Sequence, residues 1–242
     1  MKILITAGGT SEAIDSVRRI TNTGTGRLGA LLAESFAADK RVENVCCLFT
    51  ENAVLPTPPT GAEKISIKTI TDVDSLEKTV KEYCVKYPFD VVIHSMAVSD
   101  YRVKTVSDPD TIIGYAEANS LPLKEAIENV PSIPAGSKID SALDRLILVL
   151  DKTPKIISLF RPMLPDAVII GFKLLSDVTE KELLDAAYLL LKKNDCDYVL
   201  ANDLKNIDKD RHIGYLINRE GNFDRYEGKP AIANAIMSVA LT

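Results

Sequence analysis

The sequence predicts an α/β fold: a three-layer, Rossmann-like, mostly parallel sheet with helices on both faces and an antiparallel extension at one edge. Three observations carry that expectation. Short β-rich runs alternate with stretches of helical spacing, which yields a parallel sheet covered on both sides. Apolar runs such as FDVVIHSMAV and DAVIIGF read as buried strands. The tail carries GYLIN and FDRYE around the turn Arg219-Glu220-Gly221-Asn222, which reads as a hairpin at the sheet edge.

The elements follow in order. KILITA is a strand ending at glycine, and Leu28, Leu31, Leu32 and Phe36 mark a helix from Leu28 to Asp39. VENVCCLFT reads as the second strand. Asp74 to Tyr87 reads as a helix with Leu76, Val80 and Tyr83 on one side. After FDVVIHSMAV the rhythm breaks. The stretch from Val106 to Ser137 holds Pro109, Pro122, Pro131, Pro134 and Gly136, and a loop of that length is usually functional. It is expected to be an excursion from a single domain over 1–242, serving as an active-site flap or a dimer contact. DRLILVL and DAVIIGF read as further strands, Glu180 to Lys193 as a helix and DYVLAN as a strand.

The chain has 242 residues, 46% hydrophobic and 26% charged, with a net charge of -5. Such a length buries a sizeable core without covalent staples. The acidic balance argues against a nucleic-acid partner, whose phosphates call for surplus Lys and Arg. It leaves room for small phosphorylated ligands. The four cysteines, Cys46, Cys47, Cys84 and Cys196, form no CxxC pair and have no His at ligand spacing, so buried free thiols and no metal ligands are expected. No run reaches membrane-spanning length, and the expected setting is cytoplasmic.

In a doubly wound sheet ligands sit where the strands stop. AGGTSEAID follows the first strand, and its Gly8 and Gly9 allow close backbone approach to a ligand, with Thr10 beside them. ITNTGTGRLG holds Gly24-x-Gly26-x-x-Gly29, a formal GxGxxG. A dinucleotide fingerprint directly follows its strand. Here the charged stretch SVRRI intervenes, and the end of the second strand, LFT, carries no acid to hold a ribose. An anion cradle at the helix start near Leu28 is therefore preferred to NAD. Ser99, Asp100 and Arg102 cluster after another strand, while His94 reads as a satisfied core residue. GSKID, TPKII, IGFKL and LANDL are short polar elements beside β-rich runs.

Taken in order, ITAGGTSEAIDSVRRITNTGTGRLG, AVSDYR, SKI, TPKII, GFK and AND resemble the phosphopantothenate–cysteine ligase family over nearly the whole chain. Departures are Ala13 and Ser16 where proline is common, Thr25-Gly26 for Ser-Gly, and IDS rather than a lysine run after Lys138. The last departure resembles stand-alone forms, without a fused flavin-dependent decarboxylase, which is then expected only as a separate metabolic neighbour. The resemblance implies a ligase of coenzyme A biosynthesis joining 4'-phosphopantothenate and L-cysteine through an acyl-nucleotidylate. It consumes CTP, or ATP, with Mg²⁺, and releases pyrophosphate and nucleoside monophosphate. CTP is preferred, although the loop residues leave the choice open. Flavin and NAD are not expected.

The resemblance also assigns roles. Asn22 and Lys138 are catalytic. Arg18, Asn22, Gly24, Thr25 and Gly26 bind the phosphopantothenate side. Nucleotide contacts fall to Gly8, Gly9, Thr10, Met96, Ala97, Asp100, Lys138, Pro154, Lys155, Ile156, Ile157 and Phe172, with Lys192 and Lys193 before AND. Lys138 is expected to act from a mobile loop following Pro134, Ala135 and Gly136. A homodimer with sites near its interface is implied. The competing readings are an NAD(P)-dependent oxidoreductase and a nucleotide sensor without turnover.

Overall fold

The computed structural model describes residues 1–57, 64–133, 138–140, 143–207 and 211–242. Its strands are β1 Lys2–Ala7, β2 Ser11–Ala13, β3 Arg19–Thr21, β4 Asn44–Thr50, β5 Ile65–Ile70, β6 Val91–His94, β7 Tyr101–Ser107, β8 Ile147–Lys152, β9 Val168–Leu175, β10 Tyr198–Asp203, β11 Ile213–Asn218 and β12 Phe223–Glu227. The helices are α1 Arg27–Ala38, α2 Val73–Lys86, α3 Pro109–Asn119, α4 Leu123–Asn129, α5 Phe160–Met163, α6 Glu180–Asn194 and α7 Lys229–Ala240.

The central sheet runs β12-β11-β10-β9-β6-β1-β4-β5. The strands from β5 to β10 pair in parallel, and β11 and β12 continue antiparallel. Successive side chains on a strand point to opposite faces. Ile3, Ile5, Val45 and Cys47 accordingly meet α1 and α7 through Leu32, Phe36, Ile232 and Ile236. Leu4, Cys46 and Leu48 join the opposite core, with Leu76 and Val80 of α2, Phe160 of α5 and Leu183 of α6. The three expected layers and the edge hairpin are thus present. All four cysteines are buried and free. Burial pushes the Cys46 thiol up to about 11 and those of Cys47, Cys84 and Cys196 up to about 12.

Four details differ from expectation. The Val106–Ser137 stretch is not a structureless loop: α3 and α4 pack together through Ile112, Ala126 and Val130. Two of its prolines, Pro109 and Pro122, begin helices rather than break them, while Pro131 follows the end of α4. Pro109 stands in the first turn of α3 behind the Asp108 cap, and Pro122 immediately precedes α4, positions where a missing N–H costs nothing. SVRRI is not all loop, since β3 pairs with β2. The strand in DRLILVL pairs with β7 in a separate two-stranded ribbon rather than in the central sheet. Finally, β5 was not legible, because it is an edge strand whose middle residues are exposed.

Candidate functional site

Chain order and sheet order reverse at β1. The path steps outward through β4 and β5, then returns to β6 on the other side of β1. A crevice opens at such a switch point, and here a cleft of about 790 Å³ lies there. Pairing between β1 and β6 persists past the strand ends: Ala97 N–H donates to Gly8 O at 2.8 Å and Thr10 N–H to Ala97 O at 3.1 Å. Buried Thr10 does not face the cleft. Its hydroxyl accepts from Ser99 N–H at 2.8 Å and so sets the backbone leading to Asp100.

The inserted β2–β3 hairpin brings the chain back to the end of β1. Asn22 N–H donates to Thr10 O at 3.1 Å, and Gly24 N–H to Asn22 O at 3.0 Å. Gly24 lies so near Gly8 that a Cβ there would stand 2.4 Å from the Gly8 carbonyl oxygen. The GxGxxG run, distant from its strand in sequence, is adjacent to it in space. Gly26 caps α1 with φ 70° and no side-chain hydrogen bond, so backbone N–H groups of the first turn remain open to a ligand. Gly29 lets α1 lie against the sheet, since a Cβ would meet the Ala7 Cβ at 2.4 Å. The end of the second strand differs from expectation. The second strand ends at Thr50 directly before Glu51, so an acid does stand there, although it is exposed and does not line the cleft.

Of the residues expected at the site, Gly8, Gly24, Thr25, Gly26, Met96, Ala97, Asp100, Pro154, Lys155, Ile156, Ile157 and Phe172 line the cleft. Lys155 Nζ donates to Asp100 Oδ1 across the rim. Gly9 and Asn22 stand immediately behind the lining, and the Asn22 amide donates to Ala97 O at 3.3 Å.

The remaining candidates lie elsewhere. Arg18 Nε donates to Asp15 Oδ2 at 2.9 Å and Arg18 Nη2 to Ile139 O at 2.9 Å, while Ile139 N–H donates to Asp15 Oδ2 at 3.1 Å. Burial alone would raise the Asp15 pKa. The backbone N–H donors of Val17, Arg18 and Ile139, with the Arg18 guanidinium, instead hold it far below the usual carboxylate range. Lys138, the neighbour of Ile139, is exposed and is not in the cleft lining. Pro134, Ala135 and Gly136, the proposed mobile approach to Lys138, lie outside the described residues. Lys192 and Lys193 are also outside the cleft. Lys192 Nζ donates to Arg219 O at 2.9 Å and sits over the Tyr188 ring.

The sequence missed part of the lining. His94 is buried, as expected, with Nδ1 2.7 Å from Thr6 Oγ1, but it also borders the cleft. Burial lowers its pKa to about 4. Lys173, Asn202, His212 and Lys229 complete the far end. Asn202 is fixed by donating to Ile213 O at 2.7 Å. A basic residue opening a helix after glycine was the only sequence signal for Lys229; nothing in the spacing pointed to His212. Among the described residues no group of three or more His, Cys, Asp or Glu could hold a metal ion, and no helix is long and apolar enough to cross a membrane.

Sheet order, open helix start and cleft position define a doubly wound α/β protein with a cleft at its switch point. The model of the DNA/pantothenate metabolism flavoprotein C-terminal domain matches residues 1–125 and 129–242, and the chain belongs to that family. The coenzyme A biosynthesis bifunctional protein CoaBC of Thermococcus kodakarensis is 30% identical over 220 residues, which are 90% of this chain and 45% of that protein. The chain spans about half the length of the curated relatives it matches. The crystal structure of the DNA/pantothenate metabolism flavoprotein from Streptococcus pneumoniae is 38% identical, with a TM-score of 0.82, over 98% of this chain and 97% of that one. A Cab2 mutant in complex with phosphopantothenate-cysteine shares the fold, at 21% identity and a TM-score of 0.70, over 99% of this chain and 85% of that one.

Proposed function

We propose that the chain is a phosphopantothenate–cysteine ligase. The observation that carries the proposal is the lacing of Gly8–Thr10 to Asn22–Gly26 in front of the open start of α1, facing Asp100 and Lys155 across one cleft. Membership of the family supports it, as do the CoaBC relatives named for coenzyme A biosynthesis. The compound held by the Cab2 relative fits the same chemistry.

In the proposed reaction a carboxylate oxygen of phosphopantothenate attacks the α-phosphorus of a nucleoside triphosphate. A carbon–oxygen–phosphorus link forms and pyrophosphate leaves with the bonding pair. The amine of cysteine then attacks the acyl carbon, loses a proton, and displaces the nucleoside monophosphate. Oxygen anions meet in the first step, so donors must lie where that charge gathers. Thr25 and Gly26 offer backbone N–H groups, while Gly24, whose N–H is bonded to Asn22 O, gives the close backbone approach. The Asn22 amide, on a long bond to Ala97 O, is placed to turn to the carboxylate or its acyl product without adding charge. Arg18 holds the neighbouring turn. Asp100 and the backbone at Met96 and Ala97 meet the nucleotide, and Pro154 to Ile157 with Phe172 border the nucleoside. Lys138 brings positive charge from the segment pinned to Asp15 and Arg18. Lys192 and Lys193, outside the cleft lining, are left without a role in this proposal.

Magnesium would enter with the triphosphate, which supplies most of its oxygens; the cleft carboxylate of Asp100 suits a cation that keeps several waters. CTP is the proposed nucleotide over ATP, and the proposed setting is the cytoplasm. A homodimer is proposed, with the β7–β8 ribbon and the α3–α4 pair as its contact; this arm exposes Tyr101, Ile113, Leu123 and Leu150. Sedimentation at micromolar concentration tests the dimer, and a fully active monomer would reject it. The ligase reading is tested by pyrophosphate release with each of the four nucleoside triphosphates. Multiple-turnover release that needs both phosphopantothenate and cysteine, with at most a single turnover when cysteine is left out, supports it. Nicotinamide binding without such release would favour the oxidoreductase, and nucleotide binding without turnover the sensor.

A further inference from the structure

The far end of the cleft has charge and donors that the roles above do not use. His212 is 8% exposed and borders the cleft, yet neither ring nitrogen has a hydrogen-bond partner among the described residues. Buried imidazole nitrogens normally find partners. Its backbone carbonyl accepts from Gly228 N–H at 2.7 Å, and Gly228 is the cap of the twelve-residue helix α7. The next residue, Lys229, also borders the cleft.

The start of α7 has Pro230 in its first turn, a favourable helix start, but nothing there balances the charge of Lys229. It has no side-chain cap and no acid in its first turn, and Lys229 stands at its positive end. Helices α2, α3 and α6 begin differently, with Asp72, Asp108 and Thr179 as caps and acids in their first turns. A cation at a helix N-terminus is unfavourable unless a negative group joins it. Only α1, beginning Gly26-Arg27, shares the pattern among these helices. Helices α1 and α7 pack on the same face of the sheet, so two open helix starts with basic first residues flank one cleft.

We propose that His212, Lys229 and the first turn of α7 form a second phosphate-binding subsite, which takes the terminal pyrophosphoryl group of the nucleoside triphosphate. This rests on the ligase reading, which sets the α-phosphate and attacking carboxylate near the glycine run at α1. The leaving phosphates then lie toward α7. A neutral imidazole donates one N–H to a phosphate oxygen, and the Lys229 ammonium supplies charge. Burial, with the nearby Lys229 charge, lowers the His212 pKa and so favours that neutral form.

The experiment is isothermal titration of inorganic pyrophosphate into wild type, Lys229→Met and His212→Phe, with thermal melting of each. Loss of a charge-assisted phosphate contact should weaken pyrophosphate binding by about tenfold or more in each variant. Binding of nucleoside monophosphate and of phosphopantothenate should change by less than about twofold, since neither depends on these donors. His212→Asn, which keeps a donor, should recover part of the affinity. Unchanged pyrophosphate binding in Lys229→Met would overturn the subsite, even should the His212 variants fail to fold. Wild type that does not bind pyrophosphate would also overturn it. Loss confined to phosphopantothenate would overturn the assignment by giving the subsite to that substrate's phosphate. Titration needs no turnover, so pyrophosphate binding without amide synthesis would reject the ligase reading and leave the subsite standing.

Discussion

His94 should make the protein lose stability on mild acidification. The side chain is buried at the end of β6, with Nδ1 2.7 Å from Thr6 Oγ1 and its ring edge-on to Phe160 at 5.3 Å. Burial disfavours the imidazolium and takes the pKa from 6.5 in the free side chain to about 4. The folded value lies below the unfolded one, so the unfolded chain binds the proton first. Stability is full above about pH 6.5, falls as pH drops through that value, and levels off near pH 4. Each pH unit inside the window costs about 1.4 kcal/mol, so the loss reaches about 2 kcal/mol by pH 5 and about 3 kcal/mol at the end. Urea unfolding at pH 7.5 and pH 5.0 measures it. His212, also lowered by burial, adds to the wild-type loss, so the diagnostic quantity is the difference between wild type and His94→Gln. That variant should be less stable at pH 7.5 but should shed about 2 kcal/mol of the acid sensitivity. Equal pH dependence in the two proteins would refute a neutral, buried His94.

Three substitutions probe the cleft itself. Gly24→Ala would drive a methyl group into the Gly8 carbonyl, 2.4 Å away; forced backbone movement should cost about 1–3 kcal/mol in urea unfolding and weaken nucleotide binding by titration. Asn22→Asp should lower amide synthesis by about 10²-fold or more, through loss of a donor and addition of a like charge, with melting nearly unchanged because the residue sits in a ligand loop. Asp15→Ala would release Ile139 N–H and Arg18 together, so both stability and the pyrophosphate-releasing step should fall; normal pyrophosphate release would separate Lys138 from the chemistry. Because the folded pKa of Asp15 lies below its ordinary 3.8, its contribution is full above that value and is lost as pH falls below it. The variant should therefore lose part of the wild type's acid sensitivity below pH 4 in the same unfolding assay.

The sequence by itself determined the layers and the rim. Apolar runs such as VVIH and VIIG, with helical spacing between them, suffice for a covered parallel sheet, because burial on both faces leaves a continuous apolar record. Glycines beside strand ends located the near half of the cleft, because close backbone approach tolerates nothing larger. The α3–α4 pair was hidden because its prolines, which usually signal breaks, stand at helix starts. Only the tertiary structure decided the rest. It returned Gly24 to the end of β1 through the β2–β3 hairpin, and it turned Lys192 away toward Arg219. It also brought His212 and Lys229, from the last part of the chain, to a cleft that opens at residue 8. Strand order makes that meeting, since β10 and β11 reach the switch point only across β9 and β6. Local spacing carries no record of which distant strands will lie side by side, and a buried, unpartnered imidazole can be known only once its neighbours are in place.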